Sequence, residues 1–251
     1  MSRPPSGVCV HCLQGPQDLT WDHVIPRSWL PETVVPNVPR PQVPACEACN
    51  NRLSKAEAEL LACFGWGLNP ESPLARAIVK KAQDSIDPRR ASSKRDRKAR
   101  EALRARMRKR MREMEKAPTE GVFPGFGALP EYGQGPFITV HFPVDLFRLF
   151  MRKLACGVTW IHESKLLTDE YEVRWIPYTH DGWLEVNEAV DTFGARPLDC
   201  GPGVLLRRAP TSEDPIVSLI RLELWGQLKL IAHVRRKDRP LTDSLMTWQI
   251  A

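Results

Sequence analysis

Apolar positions recur with two different periods along this chain, and the periods mark its elements. The stretch LSKAEAELLACFGW carries the helical period and predicts a helix starting near Asn50. Residues 74–87 repeat it with Leu74, Ala77, Ile78 and Ala82, and Pro88 ends that helix. Residues 91–116 give the longest predicted helix. Its apolar positions, Ala99, Leu103, Met107, Met111 and Met114, form only a sparse stripe. Further on, FITVHF reads as a strand and VDLFRLFMRKLACGVTWI as a buried helix. YEVRWIPY, GVLLRR, IVSLIRLELW and LKLIAHVRR read as strands, the last two joined at Gly226-Gln227 as a β-hairpin.

Nearer the N-terminus, residues 19–25 predict a short strand that Pro26 ends, since proline cannot donate to a ladder. Pro31, Pro36, Pro39, Pro41 and Pro44 exclude regular structure from residues 31–45 and predict a stiff loop. The Gly/Pro-rich stretch 118–136 is the natural boundary. The chain thus divides into an N-terminal module (1–70), a helical region with the basic helix (71–117), a linker (118–136) and a C-terminal unit (137–251). The predicted class is α+β, the C-terminal unit being an α+β domain on a mostly antiparallel sheet.

Charge sharpens this division. The net charge is +6, yet residues 94–116 carry 12 Lys/Arg against 4 Asp/Glu, a local +8, and the rest of the chain is about −2. A segment so cationic calls for a polyanion partner. Arg104, Arg108 and Arg112 on the basic helix are candidate phosphate contacts. No apolar run is long enough to cross a bilayer, and the first residues, MSRPPSGV, are no secretory signal, so a cytoplasmic protein away from membranes is expected.

Seven cysteines fit metal binding in a reducing compartment. Cys63, Cys156 and Cys200 read as buried thiols, and Trp160, Trp175, Trp183, Trp225 and Trp248 read as core. Cys9, Cys12, Cys46 and Cys49 form two C-x-x-C pairs, a ligand set for structural zinc. His11, inside the first pair, is expected to be exposed. Between the pairs lies Asp22-His23, and the second runs into Asn50 and Asn51. Asn50 reads either as an oxygen ligand or as a helix cap; Asn51 reads as a cap.

The run C-x-x-C … D-H-V-I-P-R-S … C-x-x-C-N-N-x-L-x-K, over about residues 9–57, resembles the zinc-knuckle branch of the HNH endonucleases. The resemblance implies a zinc-bound ββα-metal module within residues 1–70 and hydrolysis of phosphodiester bonds in DNA. His23 would be the general base. Asp22 and Asn50 would hold a catalytic Mg²⁺ or Mn²⁺ ion. The family's central Asn, which orients the histidine, has no counterpart at its usual position, where Pro41 and Gln42 stand; Asn37 is the candidate for that role. Arg27, Arg52 and Lys55 flank the site as phosphate contacts. Phage defence or a mobile element is the implied setting. The competing readings are a non-catalytic zinc module that binds DNA or RNA, and a subunit docking a partner protein through residues 137–251.

Overall fold

The computed structural model describes residues 6–31, 40–114, 126, 137–177, 187–188 and 190–239. Strand β1 (Thr20–His23) pairs antiparallel with β2 (Gln42–Ala45), Trp21 opposite Pro44 and His23 opposite Gln42. Helix α1 (Glu47–Gly67) follows at once. β2 falls inside the proline-rich stretch where the sequence predicts no regular structure. A two-stranded ribbon has only edge strands, where proline is tolerated, and the Pro44 carbonyl still accepts from the Val10 N–H at 3.1 Å. The helix begins at Glu47, ahead of Asn50, because the Cys46 thiol caps it, accepting from the Cys49 N–H at 3.4 Å. Neither Asn50 nor Asn51 is the cap.

α1 buries Leu53, Leu60, Leu61 and Phe64 at helical spacing. α2 (Pro73–Ser85) starts on a proline, which has no N–H to leave unpaired there, and buries Ala75, Ile78 and Ala82. The two helices approach closely at Gly65, where a Cβ would lie 2.2 Å from that of Ala82. α3 (Lys94–Arg110) is capped by Ser93, whose hydroxyl accepts from the Asp96 N–H at 3.1 Å. It is shorter at both ends than the predicted 91–116. Met111–Met114 leave the helix as β3, paired antiparallel with β4 (Phe137–Val140). Leu103 and Met107 dock α3 against Cys63 of α1.

α4 (Val144–Glu163) leads into β5 (Tyr171–Pro177), β6 (Arg196–Pro197), β7 (Val204–Pro210), β8 (Ser218–Leu224) and β9 (Leu228–Arg236). These strands form one antiparallel sheet in the order β5-β9-β8-β7-β6. The expected mixed architecture with an antiparallel C-terminal sheet is therefore present. The β8–β9 hairpin turns through residues 225–227, which include the predicted Gly226-Gln227, with Trp225 and Gly226 at positive φ.

One apolar core serves both ends of the chain. It gathers Val24 and Trp29 beside the hairpin, Leu60 and Phe64 of α1, Phe147, Phe150 and Leu154 of α4, and Ile220 and Leu230 of the sheet. The Trp29 ring lies 4.5 Å from Phe150, 5.5 Å from Phe64 and 5.8 Å from Trp225. Each such side chain contributes roughly 1.5–3 kcal/mol on full burial. The segments before and after 118–136 thus share their interior. Among the described residues, no helix is long and apolar enough to cross a membrane.

Candidate functional site

The hairpin and α1 bring the two C-x-x-C pairs together. The sulfurs of Cys9, Cys12, Cys46 and Cys49 all lie within 4.8 Å of one another, and Cys12 and Cys46 are 3.8 Å apart. A tetrahedral zinc site with Zn–S near 2.3 Å has S–S edges of about 3.8 Å. The four cysteines are thus positioned to bind a metal ion, consistent with structural zinc. Backbone N–H groups prepare the thiolates: Cys46 N–H donates to Cys9 at 3.3 Å, and Cys49 N–H donates to Cys46. Burial raises the Cys9 thiol, but the N–H groups of Cys46, Cys12 and His11 outweigh it and hold that thiol below its ordinary value. Burial first, then crowding by neighbouring sulfurs, pushes Cys49 up. A cation among the four would relieve that crowding. Cys63, Cys156 and Cys200 are buried free thiols, as expected.

Alternation along β1 divides the next set of residues. Thr20 and Asp22 share one face of the strand, and Trp21 and His23 share the other. Asn50 of α1 donates through Nδ2 to Thr20 Oγ1 at 3.1 Å and to the Trp21 carbonyl at 3.5 Å. It therefore tethers α1 to β1. Asp22, buried, accepts from His11 Nε2 at 2.8 Å through Oδ2 and from Lys153 Nζ at 3.0 Å through Oδ1. Lys153, on α4 and only 1 % exposed, also donates to Glu57 of α1. Burial raises the Asp22 carboxyl, yet His11 and Lys153 bring it below its ordinary value. Glu57 moves the other way, since burial outweighs the lowering by Lys153. The carboxylate expected to meet a divalent cation instead holds an imidazole and an ammonium. His11, expected at the surface, is 4 % exposed in its side chain because Asp22 draws it inward.

On the other side of the ribbon, His23 is half-buried. Its Nε2 lies 3.2 Å from Gln42 Nε2, and its buried Nδ1 has no partner among the described residues. Burial, then the positive charges of Arg27, Arg40 and Lys153, lower its pKa to about 4, with Asp22 opposing them. The imidazole is neutral at physiological pH. Arg27 stands exposed on the 3-10 turn Arg27–Trp29 after β1. Arg52 and Lys55 are exposed on α1, and Arg104, Arg108 and Arg112 are exposed on α3 and β3. Asn37 lies outside the described residues.

Four residues of this centre escape a sequence reading: His11, Arg40, Glu57 and Lys153. Lys153 did leave a trace. It sits at the helical period between Phe150 and Gly157, an interior position where a cation requires an acid. Comparison with protein-family models, curated proteins and solved structures returned no match.

Proposed function

We propose that the N-terminal module is the catalytic centre of an HNH-type endonuclease that hydrolyses phosphodiester bonds in DNA, with His23 as general base. The observation carrying this reading is the setting of the imidazole. It is neutral, it keeps Nδ1 unpaired among the described residues, and it stands close enough to Arg27 and Arg40 to feel both charges. The strand bearing it belongs to a hairpin-and-helix unit closed by the four cysteines. His23 accepts a proton as the water oxygen bonds to phosphorus, and the P–O3′ bond breaks with its electron pair leaving on oxygen. The two guanidiniums oppose the charge that builds on the phosphate. A bound phosphodiester also places negative charge beside His23 and raises its basicity towards neutral pH.

Zinc would be held by Cys9, Cys12, Cys46 and Cys49, and a closed four-sulfur site supplies shape rather than chemistry. Magnesium or manganese at Asp22 and Asn50 does not fit this arrangement, because both Asp22 oxygens are engaged and one faces an ammonium. The engaged Asp22 also favours a second reading, a non-catalytic zinc module that grips nucleic acid.

One assay separates the two: supercoiled plasmid with wild type or His23→Ala, in Mg²⁺, Mn²⁺ or EDTA. Nicking by the wild type is expected, with a loss of about 100-fold or more in His23→Ala and unchanged zinc content. DNA binding without nicking in any condition would assign the protein to the second reading. Strict Mg²⁺ dependence would mean that Lys153 yields its place beside Asp22 to the ion.

A further inference from the structure

A cationic cavity of about 500 Å³ opens where α3 ends, outside the hairpin and its cysteines. Arg106, Lys109, Arg110, Arg112 and His141 line it, and among the described residues no carboxylate does. Glu59 of α1, 7 % exposed in its side chain, lies beneath. Its Oε2 accepts from Arg106 Nε at 2.7 Å, and its Oε1 accepts from Arg110 at 2.9 Å and 2.6 Å. Among the described residues, four cations against one buried carboxylate leave a net +3 around one opening.

The cavity is also held in shape. Glu59 fixes two guanidiniums from below. Arg112 folds back, donating to the carbonyls of Lys109 and Met111 at 3.1 Å and 3.0 Å. The His141 N–H donates to the Arg110 carbonyl at 2.8 Å, tying the chain after β4 to the last residue of α3. Guanidiniums presented in fixed orientations suit the planar, bidentate recognition of a phosphate. At helical spacing, exposed Lys98 and Arg95 lie on the same flank of α3 as Lys109 and Arg106 and continue the positive surface. The helix's 17 residues span about 25 Å at 1.5 Å per residue. A ligand with charges repeated over that length matches a nucleic-acid backbone better than a single small anion does.

We propose that this cavity is an anchoring site for backbone phosphates of DNA, resting on the nucleic-acid part of the reading above and lying outside the hairpin that carries His23. Among the described residues no Phe, Tyr or Trp lines it, so it grips the backbone without reading sequence.

The test is binding of a short labelled duplex by fluorescence anisotropy over a series of salt concentrations. It uses full-length His23→Ala, so that cleavage does not enter, with and without Lys109→Gln and Arg112→Gln together. Lys109 and Arg112 are exposed and have no carboxylate partner among the described residues, so the fold and zinc content should persist. The double variant should bind more weakly at every salt concentration, and its log–log salt slope should be shallower by about two. Lys80→Gln with Lys165→Gln, the same charge lost elsewhere, should leave the slope within error. An unchanged slope in the double variant, or an equal change in the control pair, overturns the site. So does polyglutamate that binds wild type as tightly as duplex and is lost in parallel, since the ligand would then be an acidic protein. A second measurement is independent of mutation: duplex should shield Lys109 but not Lys165 from acetylation, read by mass spectrometry, and equal labelling would sink the proposal. Plasmid nicking with a flat slope defeats the cavity alone. A shallower slope without nicking defeats the nuclease alone.

Discussion

Lys153 lies 131 residues from Asp22, yet it closes the polar cluster under the hairpin. With Asp22 and Glu57 it forms a buried chain of three ionisable groups. Removing one partner of a buried ion pair costs roughly 3–5 kcal/mol, because the remaining charge keeps its desolvation penalty. Lys153→Met should therefore lower unfolding free energy by about that amount, measured by urea titration at neutral pH. Asp22→Asn combined with it should cost clearly less than the two single losses added. Additive losses would mean that the residues act independently. The cluster also shows which parts of the site a sequence can display. Cysteine spacing is local: four residues make each knuckle, and the four-cysteine set could be read directly. Asp22, His23 and Asn50 were legible as residues but not in their contacts. Those depend on a helix far along the chain and on His11 turning inward.

At the scale of elements, helical period proved a good guide to which segments are helices and a poor one to where they stop. Met107, Met111 and Met114 continue the α3 spacing, but pairing of Met111–Met114 with Phe137–Val140 takes the last two of them into a strand. A partner strand thus overrides propensity. β2 was hidden for the converse reason, since local proline content says nothing of a neighbour that needs few hydrogen bonds. The junction between α4 and the sheet carries a prediction of its own. Glu163, the last residue of α4, accepts from Arg196 of β6 and from Arg208 of β7, and the Arg208 side chain is fully buried. Burial raises the Glu163 carboxyl, but the two arginines bring it below its ordinary 4.5. Because the folded value is the lower one, the stabilisation is complete above the ordinary value and disappears as pH falls through the folded value. Glu163→Gln should cost about 3 kcal/mol near neutrality. The gap to wild type should narrow in urea titrations carried into acid below about pH 4. A gap independent of pH would exclude the ion pair as its source.

At the scale of the whole molecule, the shared core decides how the protein comes apart. Composition divides the chain at 118–136, but composition registers only the polarity and flexibility of a segment, not what the flanking surfaces cover. Here Trp225 of the β8–β9 turn donates to the Trp29 carbonyl at 2.8 Å. Val24, just after β1, fills the space at Gly157 of α4, where an added Cβ would lie 2.9 Å from Val24 Cγ2. The four-cysteine module is therefore one wall of the interior that α4 and the sheet complete. Structural zinc is worth roughly 10–16 kcal/mol in small finger peptides, as much as the whole net stability of an ordinary domain, about 5–15 kcal/mol. Stripping zinc with a strong chelator should collapse the entire fold in one step rather than loosen residues 9–57 alone. Hydrogen exchange gives the sharpest reading: amides of β8 and β9, far along the chain from any cysteine ligand, should lose protection together with those of α1. Residues 137–251 expressed alone should likewise fail to show a cooperative melt, since α4 would expose Phe147, Phe150 and Leu154. Gly157→Ala in the full chain should lower the single melting transition, by roughly 1–3 kcal/mol of overpacking against Val24. Protected β8 and β9 amides in the zinc-free protein, or a cooperative melt of the fragment, would instead establish two independently stable units.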